Sequence, residues 1–271
     1  MILDDIIAKG LKKLNNKNDR LRIDNIILGK SLYSMKDCDS VFTDMNLCLV
    51  LLENGYGFSY FQEELDYTRF SKFIGKDISD VLKLNIKPYF KVALADAIYS
   101  HLNRFLPTKE LIGNIREKAI QRAVELLKDI PSNSKVVLIG AASEIIEQSI
   151  KEEVNLTVVD LAPNKLGLNI ENVKIIGGSN EITLDIIKHS DYAIVSGMVF
   201  STDTADSVIK IAKDNNVKLI FFMETGSNFG QELLNYGADK ILSEYFPYYD
   251  FYGNTKYQIF SKTQSKLAKN H

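Results

Sequence analysis

Three carboxylates stand at the ends of apolar runs in the second half of the chain, and they are the residues best suited to chemistry. Asp160 ends the run NLTVVD, Glu224 ends KLIFFME and Glu244 ends KILSE. Parallel sheets bind their ligands at the carboxyl ends of the strands, so the pattern predicts that these acids face one cleft. The alternative is that each acid caps a neighbouring helix or pairs with a nearby lysine. We expect Glu224 to contact a cationic part of a ligand, either an amine or a metal, and Glu224 and Glu244 are the candidate metal ligands.

The elements that must position these acids alternate between strand and helix. Between residues 135 and 260, short runs that are apolar throughout are separated by segments with helical spacing. Strands of this kind are buried on both faces, which predicts an α/β fold with a Rossmann-like, doubly wound and mainly parallel sheet. The first part of the chain predicts a smaller α+β domain with a hairpin that turns at Asn54-Gly55. We place the domains at residues 1–128 and 129–271.

The residues that follow each predicted strand extend the candidate site. The aromatic run YFPYYDFYG after the last parallel strand could line a pocket, or it could be a packed loop. The full set of candidate ligand-binding residues comprises Gly140, Ala141, Ser143, Asp160, Gly178, Ser196, Gly197, Glu224, Thr225, Glu244 and Tyr248.

Asp160 also has a more specific interpretation as a ribose-binding acid. It lies twenty residues after Gly140, which is the spacing of the dinucleotide-binding fingerprint. The segment GAASEI has only one of the three glycines, so an extended pyrophosphate would meet the Cβ atoms of Ala142 and Ser143. A nucleoside without a pyrophosphate, such as S-adenosylmethionine, is still compatible with this turn. No Walker motif is present, which argues against an ATPase.

Composition narrows the range of partners. The formal net charge is −2, from 33 basic and 35 acidic residues, so bulk electrostatics recruits neither nucleic acid nor an anionic membrane. The apolar runs are too short to span a bilayer. Cys38 and Cys48 form no disulfide framework, which favours a cytoplasmic location. The expected partner is a small-molecule ligand, and the sequence leaves a homodimer open.

Several segments together carry a family resemblance. They are KVVLIGAASEI, VVDLAPNKLG, HSDYAIVSGMVFSTDTADSVIKIAKD and FFMETGSNFGQELLNYGADKILSEYF. The C-terminal half resembles the Rossmann-like domain of the family called "putative heavy-metal chelation". The N-terminal half, with its hairpin and VALADAIYSHLN, is similar to the enolase-N-terminal-like domain that accompanies it. The resemblance implies a ligand site between the two domains and a role that involves metal.

Three functions remain open at this point. The first is a small-molecule-binding protein with an interdomain cleft for a metabolite or metal chelate, as the resemblance implies. The second is a transferase that uses S-adenosylmethionine as cofactor, indicated by Asp160 and by a terminal hairpin predicted from KILSEYF and YQIFSK. The third is a noncatalytic partner-binding protein, which would need a large apolar surface patch. The sequence does not decide whether the protein is an enzyme, and the expected cofactor is either S-adenosylmethionine or a divalent metal.

Overall fold

The protein contains two β-sheets that share helical layers. The computed structural model describes residues 1–34, 42–65, 68, 70–104, 106, 108–162, 165–170, 172–246 and 253–262. Over these residues, one sheet has three strands and the other has nine. Below they are called the small sheet and the large sheet.

The small sheet belongs to the first part of the chain. Helix α1 (Ile2–Asn16) precedes strands β1 (Asn25–Ser34), β2 (Phe42–Leu52) and β3 (Gly55–Phe61), which pair as antiparallel neighbours in that order. A short helix α2 (Ile78–Val81) and the long helix α3 (Pro88–Asn103) follow. The α+β character expected for this region is confirmed.

The spacing of apolar residues in DYTRFSKFIGKDISDVLKL predicts a helix, and the described residues of this segment do not form a continuous one. The described part of this segment contains a 3₁₀ turn at Ser71–Phe73 and the four-residue α2. Gly75 interrupts them with a φ of +77°, and its N–H donates to the carbonyl of Ile23 at 2.7 Å. Asp77 then starts a new helix, because its carboxylate accepts the N–H of Ser79 at 2.8 Å. The left-handed backbone at Gly75 ends the first helical turn, and the cap at Asp77 starts a separate helix, so the segment does not form the one helix that its spacing predicts.

The hairpin is present, but its turn lies one residue earlier than expected. Leu52 pairs with Gly55, so the two loop residues are Glu53 and Asn54. Neither has a positive φ, which the expected type I′ turn requires. Gly55 begins β3 instead, where a Cβ would lie 3.1 Å from the backbone nitrogen of His101. The glycine therefore serves the contact between strand and helix, not the turn.

Helix α3 packs against the small sheet at very short range. A Cβ on Gly57 would lie 1.8 Å from the carbonyl oxygen of Ala93 and 2.3 Å from the nitrogen of Ala97. Ala93 and Ala97 of α3 face this glycine, and their small side chains permit the short separation. All of α3 from Val92 to Ser100 is buried.

The large sheet carries the Rossmann-like topology. Its parallel core runs β8 (Val173–Gly177), β6 (Asn155–Asp160), β5 (Lys135–Ile139), β9 (Tyr192–Ser196), β10 (Lys218–Met223) and β11 (Lys240–Glu244). In chain order this is the 3-2-1-4-5-6 arrangement of dinucleotide-binding folds, with its switch point between β5 and β9. The expected doubly wound, mainly parallel sheet is confirmed.

Three antiparallel strands extend the core at its edges. Strand β12 (Thr255–Ser261) pairs with β11, which is the terminal hairpin expected from KILSEYF and YQIFSK. The short β4 (Lys109–Leu111) pairs with β12, and β7 (Asn169–Ile170) pairs with β8. Strand β4 precedes residue 128, the boundary expected between the domains, yet it belongs to the large sheet.

Helices cover both faces of the large sheet. Helices α4 (Ile115–Leu127) and α5 (Ser143–Lys151) share one apolar cluster with it. Helices α6 (Asn180–Lys188) and α7 (Ala205–Asp214) share the other, which also contains α1 and α3 and therefore runs continuously into the small sheet. Helix α4 thus packs with the large sheet, and the division at residue 128 stays a prediction.

Candidate functional site

A cavity of about 290 Å³ lies where the carboxyl ends of the large sheet meet the small sheet. Met45 of β2, Tyr60 of β3 and Gln62 line it from the small sheet. The large sheet contributes the ends of β5, β6, β9 and β10 and the first residues of α5 and α6. The cavity therefore sits at the topological switch point, as the sheet order requires.

Seven of the eleven candidate residues lie in the described lining of this cavity. These are Gly140, Ala141, Ser143, Asp160, Ser196, Glu224 and Thr225. Gly178, Gly197 and Glu244 are not among the described lining residues. Tyr248 falls outside the described residues.

Close packing accounts for both glycines that lie outside the lining. A Cβ on Gly178 would lie 2.4 Å from Val159 Cγ1, so this glycine lets the turn after β8 approach β6. A Cβ on Gly197 would lie 2.3 Å from the carbonyl oxygen of Thr225. Both glycines therefore allow other parts of the protein to approach closely, and their contact with a ligand stays a prediction.

Asp160 holds the turn that follows β5. One oxygen of its carboxylate accepts the N–H of Ala141 at 2.8 Å, and the other accepts the N–H of Ala162 at 2.8 Å. Lys165 also donates its Nζ to Asp160 at 2.9 Å, and both side chains are buried. Because Gly140 enters this turn with a φ of +94°, the acid fixes a backbone conformation that few residues adopt.

These three donors bear on the ribose role expected for Asp160. Both carboxylate oxygens already accept hydrogen bonds inside the protein. A ribose would have to share them or displace Lys165. The ribose contact stays a prediction, and the structure gives the acid a structural task at the same place.

Glu224 and Glu244 meet at a buried arginine. Arg122 of α4 donates Nη1 to Oε1 of Glu224, and the same nitrogen lies 3.3 Å from Oε2 of Glu244. The side chain of Arg122 is 3% exposed and that of Glu244 1%, whereas that of Glu224 is 13% exposed. Glu224 and Arg122 line the cavity, and Glu244 lies behind them. The two acids therefore contact one cation, and their contact with a ligand stays a prediction.

The helical spacing of NFGQELLNYG predicts a helix after Glu224 with Ser227 or Asn228 as its N-cap, and the structure differs from this prediction. Residues Ser227–Tyr236 form 3₁₀ turns, and Gly226 precedes them in the left-handed region with a φ of +72°. Neither Ser227 nor Asn228 is the N-cap. The backbone N–H of Asn228 donates to the carboxylate of Asp96 at 2.7 Å, so a buried tertiary contact, not a local cap, directs this segment.

The metal site expected at Glu224 and Glu244 stays a prediction. Across the described ranges, no group of three or more His, Cys, Asp and Glu side chains is arranged to hold a metal ion. The two acids share Arg122, so a cation that approached them would compete with the guanidinium.

Sequence reasoning missed several residues that shape the site. Arg122 lies on a helix far upstream in the chain, and only its apolar surroundings in AIQRAVELL hint that it is buried. Lys165 lies in the quoted segment LAPNKLG, but its partner could not be identified from spacing alone. Met45 and Tyr60 come from the small sheet, whose placement over the large sheet no local pattern encodes.

Part of the chain that forms this site matches a known protein family. Residues 122–221 match the model of one family, DUF364. That family is described as "Putative heavy-metal chelation". The match covers β5 to β9 and the first four residues of β10, and it includes Arg122, Asp160 and Lys165. The resemblance stated from the sequence is confirmed over these residues. No curated protein matches the chain.

Solved structures from the same family share the fold. One is a protein of unknown function from Desulfitobacterium hafniense, with 12% identity and a TM-score of 0.58 over 90% of this chain and 85% of that chain. Another, also of unknown function, comes from Pyrococcus horikoshii, with 12% identity and a TM-score of 0.51 over 96% of this chain and all of that chain. At this identity the likeness establishes the fold alone.

Within the described ranges, no helix combines the length and the apolar composition needed to cross a bilayer.

Proposed function

We propose that the protein binds a small molecule, a metabolite or a metal chelate, in the cavity between its two sheets. The observation that carries this proposal is the cavity of about 290 Å³ at the switch point, with walls from both sheets. Such positions in open α/β sheets are preferred ligand sites. The family description, which names chelation, points the same way.

Charge in the cavity favours a ligand that carries a cationic group. Three acids and two bases are among the described lining residues: Glu144, Asp160 and Glu224 against Arg122 and Lys165. Lys165 pairs with Asp160, and Arg122 is shared between Glu224 and the buried Glu244. Negative charge therefore exceeds positive charge around the cavity. An amine or a metal cation in the cavity could contact Glu224, which is the more exposed of the two acids that pair with Arg122.

The rest of the wall suits an apolar body. Strand ends and turns of the large sheet contribute apolar side chains, and Met45 and Tyr60 face them from the small sheet. Methionine adapts to irregular ligand shapes, and tyrosine combines an apolar ring with a polar tip. The proposed ligand is thus a compact molecule with an apolar part and one cationic group.

S-adenosylmethionine remains an alternative for the same cavity. It carries a sulfonium and an amine, and the observed β11–β12 hairpin is the feature that favours the transferase hypothesis. The three donors that already occupy Asp160 argue against it. It is therefore one arm of the test below.

A thermal-shift panel tests the proposal. The probes are Ni²⁺, Co²⁺, Cu²⁺ and Zn²⁺, their citrate complexes, small diamines and S-adenosylmethionine. A compound present at a hundred times its Kd stabilises the folded state by about 2.7 kcal/mol, which a shift in Tm detects. Calorimetric titration then measures the affinity of each stabilising probe. Failure of every probe to raise Tm would contradict the proposal for these ligand classes.

The variant Glu224→Gln tests the site itself. It keeps the shape of the side chain and removes its charge, so affinity for a cationic probe should fall about tenfold or more. The matched control is Glu232→Gln, because Glu232 pairs with Lys13 at 2.8 Å and is not among the described lining residues. Equal affinities in the two variants would show that the probe binds elsewhere.

A further inference from the structure

The two sheets are joined by hydrogen bonds at the edge of β3, and Asp96 of α3 lies at their centre. Asp96 is fully buried. Its Oδ2 accepts the backbone N–H of Phe58 at 2.9 Å, and its Oδ1 accepts the backbone N–H of Asn228 at 2.7 Å. The side-chain amide of Asn228 donates to Oδ2 at 2.9 Å. One carboxylate therefore holds a strand of the small sheet and a segment of the large-sheet layer together.

The same row of hydrogen bonds continues to the cavity. The N–H of Gly226 donates to the carbonyl of Phe58 at 3.1 Å, and the N–H of Tyr60 donates to Oγ1 of Thr225 at 2.9 Å. We call the bonds among Phe58, Tyr60, Asp96 and residues 225–228 the β3 seam. Tyr60 and Thr225 line the cavity, and Glu224 is the residue next to Thr225. The β3 seam thus runs from the buried Asp96 to residues of two walls of the cavity.

The carboxylate of Asp96 occupies an environment that is costly for a charge. Burial raises the pKa of Asp96 to about 7, although the N–H donors around it act in the opposite direction. Two titratable side chains near it, Tyr56 of β3 and Tyr245 after β11, have pKa values that burial raises further above the usual range. An apolar residue at this position would leave the backbone N–H groups of Phe58 and Asn228 without an acceptor, so the acid is retained here for the hydrogen bonds that it accepts. Acids with perturbed pKa values also concentrate at functional sites.

We propose that Asp96 is a positioning residue of the cavity, which fixes the Glu224–Thr225 wall against the Tyr60 wall through the β3 seam. It acts through its neighbours and is not itself among the described residues that line the cavity. The proposal rests on the proposed function for the identity of the site. The seam, however, can be tested without any ligand.

The substitution Asp96→Asn separates positioning from simple filling of space. An asparagine has the same shape, but it offers one oxygen and one NH₂ group. It cannot accept the three N–H bonds that reach the two oxygens of Asp96. A residue that only fills space would tolerate this change, because the variant removes a buried charge and leaves the volume intact.

A thiol in the cavity wall reports on the seam. The reporter is Ser196→Cys in a Cys38→Ser background, and its alkylation by iodoacetamide is timed at fixed pH. The remaining thiol, Cys48, is fully buried. Asp96→Asn should raise the reporter's alkylation rate at least about fivefold. It should also raise amide exchange in peptides that cover residues 56–61 and 225–230 about tenfold, while residues 135–139 of β5 stay unchanged.

The matched control is Asp206→Asn. Asp206 accepts the backbone N–H of Ile2 at 3.0 Å and so also ties two elements together, but it is not among the described lining residues. It should leave the reporter rate and the exchange of both seam peptides as they are. An Asp96→Asn variant with an unchanged reporter rate, or with exchange that rises equally in β5, would overturn the proposal.

Asn228→Ala provides a second variant in case Asp96→Asn folds poorly. It keeps Asp96 and the backbone N–H bonds and removes the side-chain amide, which donates to Asp96 at 2.9 Å and to the carbonyl of Tyr56 in β3 at 3.4 Å. The same peptides should exchange faster, about threefold, and an unchanged rate would contradict the proposal. If no probe of the thermal-shift panel binds, the proposed function is contradicted. The alkylation and exchange measurements need no ligand, so they test the role of Asp96 independently of that result.

Discussion

Replacing Arg122 with methionine should destabilise the protein strongly. Methionine keeps the length of the side chain and removes the guanidinium that contacts both Glu224 and Glu244. The side chain of Glu244 is only 1% exposed, so water cannot readily take over the role of the arginine. Loss of one partner of a buried ion pair costs about 3–5 kcal/mol, because a charge is left in an apolar environment. We expect the free energy of unfolding to fall by about that amount.

Urea denaturation at pH 7 measures this loss, and a second arginine of α4 supplies the control. Arg116 lies 3.7 Å from Glu147, but its side chain is 60% exposed. Exposed pairs contribute about 0–1 kcal/mol, so Arg116→Met should change stability little. The double variant Arg122→Met with Glu244→Gln should regain part of the loss, because it removes the stranded charge. An Arg122→Met variant no less stable than Arg116→Met would refute the reasoning.

Three further predictions concern residues that shape the site. Burial raises the pKa of Asp96 to about 7, so the folded protein binds a proton here more tightly than the unfolded chain does. The resulting contribution to the free energy of unfolding is largest below about pH 4 and is lost as pH rises to about 7. In urea denaturation, the stability of Asp96→Asn should therefore decline less over this pH range than that of the wild type. An equal loss of stability with rising pH in the variant and the wild type would show that other groups cause the loss. Gly57→Ala should lower the free energy of unfolding by at least about 2 kcal/mol, because the new Cβ would lie 1.8 Å from the carbonyl oxygen of Ala93. Gly29→Ala is the control: its Cβ would have no atom nearer than 3.4 Å, so the loss should be less than half as large. Similar urea midpoints for the two would contradict the close contact. Asp160→Ala should lower the free energy of unfolding by about 1–3 kcal/mol, since two backbone N–H groups lose their acceptor, and a change below about 0.5 kcal/mol would show that the acid does not hold the turn.

The large sheet could be predicted from sequence because its signal is local. Each parallel strand is a short run that is apolar throughout, and burial on both faces requires that composition. The strand ends then indicated where a ligand site would lie, and residues such as Gly140 and Ser196 do line the cavity. The edge strands β4 and β7 have only three and two residues, too few for a pattern.

The partners of the charged residues could not be predicted, because they are distant in the chain. Arg122 and Glu224 are 102 residues apart, and Asp96 and Asn228 are 132 apart. Local patterns do not encode such pairs. The turn at Glu53-Asn54 was misplaced for a related reason, since Gly55 is used to approach α3. In each case a tertiary contact, absent from any short window of sequence, decided the outcome.

The measurement that tests the central claim most directly is a crystal structure of the protein with the tightest-binding probe of the panel. We predict electron density for the probe in the cavity between the two sheets, with its cationic group within hydrogen-bond or coordination distance of the Glu224 carboxylate. The apolar part should contact Tyr60 or Met45 of the small sheet. Density for the probe at any other place, with the cavity unchanged, would contradict the account.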